Sequence, residues 1–157
     1  MPITSSQRAR RVADFPPHLS SGYLVRDAHR ALQRLLERRI APYGISRGQW
    51  YFLRVLWTTD GLSQRELSAL VGMREPTTVI ALRGMERSGL VRRVRGDNDR
   101  RKMRVFLTTK ARRMRGELLG VARRITEDAE QGVPARDLAV LRRTLTQITR
   151  NLDRIDR

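Results

Sequence analysis

Apolar residues recur at helical spacing in six stretches of the chain and at alternate positions in two short ones. The first helical stretch starts at Ser20 or Ser21, a plausible N-cap, and runs to about Ile40. Val25, His29, Leu32 and Leu36 form its stripe, flanked by Leu24, Ala28, Ala31 and Leu35. That stripe is wider than a small monomeric domain needs, so part of it is expected to bury against a partner. Ala41-Pro42-Tyr43-Gly44 breaks the pattern. Ser46 opens a second helix with Gln49 at the capping-box position, and Phe52, Leu53, Leu56 and Trp57 make its apolar side. After the Asp60-Gly61 turn, Ser63 and Glu66 form another capping box for a short third helix. Its expected inward face is Leu67, Leu70 and Val71, and Gly72 ends it. A fourth helix runs from Glu75 to Ser88, with Pro76 in the first turn, Val79, Leu82 and Met85 inward, and Gly89 as its stop.

Two alternating runs, Leu90–Val94 and Met103–Leu107, flank a Gly/Asp/Asn-containing tip and predict a β-hairpin. Thr108 or Thr109 caps a long fifth helix to about Gln131, and Gly132-Val133-Pro134 separates it from a sixth reaching Asp153. In that last helix Leu138, Leu141, Leu145, Ile148 and Leu152 repeat at the 3-4-3-4 spacing of a helix-pairing seam. The expected class is therefore mainly α with a small β-hairpin wing. Residues 41–108 are expected to form a winged helix-turn-helix domain, residues 20–40 and 109–157 a helical dimerisation region, and residues 1–19 a mobile basic arm.

Composition narrows the chemistry. At 157 residues and 39% apolar content the chain can bury one core. With no cysteine, disulfides, thiolate nucleophiles and Cys-ligated metals are excluded. No apolar run is long enough for a membrane span and the N-terminus lacks a signal peptide's apolar stretch, so a cytoplasmic protein is expected. The net charge of +17 draws the chain to polyanions, either nucleic acid or an anionic membrane surface. Residues 83–115 hold 13 Arg/Lys against three acids, Glu86, Asp97 and Asp99, so more than half of the net charge lies in about a fifth of the chain. Such concentration favours a dedicated anion-binding surface over a merely solvated one.

Two short helices followed by a basic hairpin suit DNA, because the second helix fits the major groove and its first turn meets base edges. Arg74, Thr77 and Thr78 lie in or beside that turn, with Arg83 further along. Arg95, Arg100 and Arg101 on the hairpin are placed for phosphates or the adjacent minor groove. The plainer alternative makes the two threonines ordinary first-turn residues and the hairpin a charged loop.

The run from Ser46 to Thr108 resembles the MarR family of bacterial transcriptional regulators. The resemblance is carried by SRGQWYFLRVLW, LSQRELSALVGM, EPTTVIALRGMERSGLVRR and NDRRKMRVFLT. Asp99-Arg100-Arg101 followed by Leu107-Thr108 matches that family's wing signature. The resemblance implies a homodimer with interlocking terminal helices, Arg101 as the wing arginine that enters the minor groove, and Asp99 as its salt-bridge partner. Many members carry an arginine in the middle of the recognition helix where this chain has Ile80, so no base readout is assigned there.

No enzyme is expected. The only histidines are His18 and His29, no catalytic or nucleotide-binding fingerprint occurs, and Asp97 and Asp99 read as ion-pair partners of nearby arginines. Neither a catalytic residue, a metal nor a cofactor is predicted. A small-molecule site is a separate matter. Five of the eight aromatics lie between Tyr43 and Trp57, and most are expected in the core. Tyr23 with Trp50 as an apolar slot, and His29 with Arg54 as donors, would suit an aromatic carboxylate. Relatives similar in GQWYFLRVLW often regulate aromatic-acid degradation or respond to CoA thioesters, which implies such an effector. The expected function is a repressor released from a pseudo-palindromic operator by a small aromatic acid or its CoA thioester. The alternative is a non-specific nucleoid-type or anionic-membrane-surface binding protein.

Overall fold

The computed structural model of the chain describes residues 16–95 and 103–156. They fall into two compact units that divide between Val121 and Ala122. Most of the arm expected over residues 1–19 lies outside the described residues, and Pro17–Leu19 form a single 3-10 turn.

In the first unit, helix α1 spans Ser21–Ile40 and begins where the Ser20 hydroxyl accepts the Tyr23 N–H. A 3-10 turn at Ala41–Tyr43 and Gly44, at φ 70°, redirect the chain. Helix α2, Arg47–Leu56, and helix α3, Gln64–Val71, each begin at a complete capping box. At α3 the Ser63 hydroxyl accepts the Glu66 N–H at 3.2 Å while Glu66 Oε2 accepts the Ser63 N–H at 2.8 Å. These reciprocal bonds satisfy donors that a helix start leaves orphaned. Helix α4 spans Glu75–Arg87. Ile40, Phe52, Leu53, Leu56, Leu67, Leu82 and Met85 interlock as the core between these helices, all within 1% of complete burial. Leu70 departs from its expected inward position and is 62% exposed. The buried side of α3 is centred on Leu67 and Ser68 instead, which turns Leu70 outward.

The expected hairpin is present as β2, Val91–Arg95, and β3, Met103–Leu107, paired antiparallel from Val91 opposite Leu107 to Arg95 opposite Met103. A two-residue strand, β1 at Leu62–Ser63, adds to the other edge of β3. Two residues carry no period, so the hydrophobic pattern does not predict it. Asp60 assembles this corner. Its Oδ1 accepts the N–H groups of Gly61 and Leu107 at 3.1 and 2.9 Å, and Arg112 pairs with Oδ2 at 2.7 Å. Gly61 is required there: its φ is +76°, and an added Cβ would lie 2.7 Å from the Phe106 ring.

Thr108 caps the helical stretch beyond the hairpin, its hydroxyl accepting the Ala111 N–H at 3.2 Å. The expected single helix is two, α5 over Thr109–Arg113 and α6 over Arg115–Glu130. The interruption at Met114 falls just ahead of Gly116, a residue that costs about 1 kcal/mol relative to Ala inside a helix. The Trp57 indole N–H donates to Ala111 O at 3.0 Å, fixing α5 beneath the end of α2.

In the second unit, α7 spans Ala135–Ile155, two residues beyond the expected end. Arg142 reaches back to Glu130 at 2.9 Å. Along the seam, Leu145 and Ile148 are half-buried with Leu138, while Leu141 and Leu152 are 51% and 60% exposed. Among the described residues no helix is long and apolar enough to cross a membrane.

Candidate nucleic-acid interface

The joint between α3 and α4 sets which side of α4 faces outward. Gly72, at φ 71°, ends α3 in a left-handed turn, and the Met73 N–H donates back to Ser68 O at 3.0 Å. Beneath it the Ser68 hydroxyl donates to Met73 O at 2.5 Å and accepts the Thr78 hydroxyl at 3.2 Å. Both side chains are buried, Thr78 completely. This corrects the expectation that Thr78 meets DNA. Its hydroxyl is committed to holding the two helices together, because a buried hydroxyl without a partner would cost stability.

With Thr78, Leu82 and Met85 inward, helical geometry turns Thr77, Ile80, Arg83 and Arg87 outward, and all four are exposed. Arg74 occupies the N-cap position, makes no side-chain cap bond, and is exposed at the leading end of the same face. The predicted residues Arg74, Thr77 and Arg83 therefore share one surface, and Ile80 and Arg87 extend it.

The wing is fastened to this helix by a residue that sequence reasoning missed. Arg93 on β2 pairs with Glu86 on α4 at 2.6 Å, its backbone N–H donates to the same carboxylate at 3.0 Å, and its Nη1 donates to Gln64 at 3.3 Å. The Arg93 hydrogen bonds hold the Glu86 carboxyl below its usual range. One arginine thus joins the start of α3 and the middle of β2 to the last turn of α4. Opposite charges seven positions apart were visible, but their pairing depends on the chain reversing between α4 and β2. Lys110 closes the end of α4 from below by donating to Ser88 O at 3.0 Å.

On the wing, Arg92, Arg95 and Arg104 are exposed, Arg92 lies 5.1 Å from the Phe106 ring centroid, and Arg104 donates to Gly61 O at 2.8 Å. Arg95 stands at the last described position of β2, where the hairpin leads toward its tip. Arg100, Arg101 and the salt bridge expected between Asp99 and Arg101 fall outside the described residues. Arg83 and Arg87 on α4 and Arg93 on β2 line one open cleft with Ile80 and Glu86, and the exposed Arg92, Arg95 and Arg104 make the described part of the hairpin basic as well.

Comparison with known proteins bears on this arrangement. A family model described as MarR family matches residues 43–102. The solved structure of a MarR transcriptional regulator from Methanosarcina mazei Go1 is 30% identical, with a TM-score of 0.79, covering 85% of this chain and 96% of that one. The chain belongs to the MarR family of transcriptional regulators. A second MarR-family structure, from Silicibacter pomeroyi, is 25% identical with a TM-score of 0.75, over 88% of this chain and 94% of that one. The HTH-type transcriptional regulator TtmR of Methylorubrum extorquens (strain PA1) is 33% identical over 107 residues, 67% of this chain. This chain spans about half, 55%, of that relative's length.

In this MarR-family chain the expected small-molecule residues separate into two groups. Trp50 is 4% exposed and meets Trp57 edge-on at 5.9 Å, with the Arg54 guanidinium 5.7 Å from its ring centroid. Tyr23 instead lies under Arg26, 4.0 Å from its ring centroid, on the exposed side of α1. His29 is exposed and joined through Gln33 to the Tyr51 hydroxyl, which accepts from Gln33 at 2.8 Å. The structure thus unites Trp50 with Arg54 and links His29 to α2 through Tyr51. The slot expected between Tyr23 and Trp50 is corrected: Trp50 packs into the core, and Tyr23 takes Arg26 as its neighbour.

Proposed function

We propose that this chain is a sequence-specific DNA-binding repressor that acts as a homodimer on a pseudo-palindromic operator. The observation that carries the reading is the outer face of α4, with Thr77, Arg83 and Arg87 exposed together and Arg93 anchoring a basic wing alongside it. An α-helix so presented fits the major groove, and a cationic hairpin next to it reaches the flanking backbone and minor groove. The apolar residues left exposed on α1 (Leu24, Val25 and Leu32) and along α7 (Leu141 and Leu152) support pairing with a second copy. Two copies would then present their recognition helices to half-sites one helical turn apart, about 34 Å.

Release by a small aromatic acid or its CoA thioester is the finer part of the proposal. Its support is a pair of contacts along α2, where Arg54 overlies Trp50 and His29 connects through Gln33 to Tyr51. A ligand carboxylate there would find charged donors beside aromatic carbon. A ligand that prefers one spacing of the recognition helices would shift the population away from the DNA-bound state.

The test begins with selection of duplexes from a random library by the full-length protein. Arg83→Ala and Arg101→Ala should weaken binding to the enriched duplex while leaving thermal unfolding unchanged. Benzoate-type acids and their CoA thioesters are then titrated against the complex. Dissociation that His29→Ala abolishes, at unchanged operator affinity, supports the effector site. A complex indifferent to every such compound removes the effector from the account.

A further inference from the structure

Ile80 sits in the middle of the outer face of α4 and is 69% exposed. It lines an open cleft of about 530 Å³ with Arg83, Glu86, Arg87 and Arg93. The fold does not ask for isoleucine at this position. The inward side of α4 is already formed by Thr78, Leu82 and Met85, and a β-branched residue is a poorer helix former than Leu, Arg or Lys. Single exposed apolar residues are common on protein surfaces. This one stands on the cationic helix face proposed to enter the major groove, and that setting restricts what it can usefully touch.

Base edges in the major groove present hydrogen-bond donors and acceptors at every pair, and one apolar group, the 5-methyl of thymine. Against a phosphate or a G·C edge, Ile80 would displace water from polar atoms and return no hydrogen bond. Against a thymine methyl, both partners lose apolar surface to water. Position along the helix is also suitable. Thr77, Ile80 and Arg83 are three residues apart, a rise of about 4.5 Å per interval and roughly 9 Å in all, between two and three base-pair steps of ~3.4 Å. With α4 in the groove, Ile80 would lie over the interior of the contacted site, between the polar side chains of Thr77 and Arg83.

We propose that Ile80 is a specificity-determining residue that reads thymine by packing against its 5-methyl group in the major groove. The inference rests on the DNA-binding reading of α4, and the experiment separates the two. The full-length protein is presented with the duplex enriched from a random library, and each thymine in turn is replaced by deoxyuridine, which removes only the methyl. Wild type should lose about four-fold in affinity at one thymine position in each half-site, the value of one buried methyl-sized group. Ile80→Ala should bind the parent duplex more weakly and show no further loss at that position. Because the side chain is exposed, the variant should keep wild-type thermal stability. An enriched duplex at which every uracil substitution affects wild type and Ile80→Ala alike overturns the role of Ile80 and leaves DNA recognition standing. A library from which no sequence is enriched overturns both.

Discussion

Thr77 and Thr78 show how much one position decides on a helix. From the sequence both belong to the first turn of the recognition helix and both suit base contact. In the fold Thr77 is exposed, whereas Thr78 is fully buried with its hydroxyl donating to Ser68. The sequence signal that distinguishes them is Ser68 itself, a polar residue on the inward side of α3, but its meaning depends on an α3–α4 angle that no local pattern carries. Thr78→Val should therefore cost about 1 kcal/mol of stability in urea unfolding, the net worth of a typical buried hydrogen bond. DNA affinity of the folded fraction should change little. Full stability with a large loss of affinity would return Thr78 to the DNA-contacting surface. His29 is a similar case in reverse: its place on an apolar stripe suggests packing or a ligand, and α1 leaves it exposed beside Gln33.

Elements whose determinants are local were legible, and those with distant partners were not. The capping boxes at Ser46 and Ser63 span four residues each, and both are present as expected. The β2–β3 hairpin was legible from alternation around a turn. Strand β1 was not, because it exists only through β3 and the Asp60 corner. The Arg93–Glu86 junction belongs with β1, since it forms only once β2 has folded back along α4. That junction has a pH signature. The Glu86 carboxyl is held below its usual value by Arg93, so its contribution is complete above the ordinary carboxylate range, about 4.3, and is lost as pH falls through the depressed value. Wild type should exceed Glu86→Gln in stability at pH 7, and the gap should close as the pH is lowered below the ordinary carboxylate range. A gap that stays constant through acidification would show that the carboxylate charge is not what holds the wing base.

At the scale of the whole molecule, exposed apolar surface is the feature a single copy leaves unexplained. Leu24 and Val25 on α1 are 53% and 45% exposed, and Leu152 and Ile155 on α7 are 60% and 82% exposed. The heptad-like seam on α7 was legible in the sequence, but its partner was not, since spacing alone fits a helix of the same chain or of another. Under the proposed homodimer, Leu145→Asp places a charge within the seam, and sedimentation should show a shift from dimer to monomer or loss of folded protein. Wild type sedimenting as a folded monomer at micromolar concentration would contradict the pairing.

The concentration of charge in residues 83–115 guarantees some attraction to any polyanion, so affinity by itself decides nothing. The deciding quantity is the ratio between one sequence and all others. Competition of the enriched duplex against random duplex of equal length, at fixed salt and over a salt series, measures that ratio directly. Both affinities should fall steeply with salt while the enriched duplex stays about a thousand-fold or more tighter. Equal affinity for the two duplexes at every salt concentration would contradict sequence-specific binding.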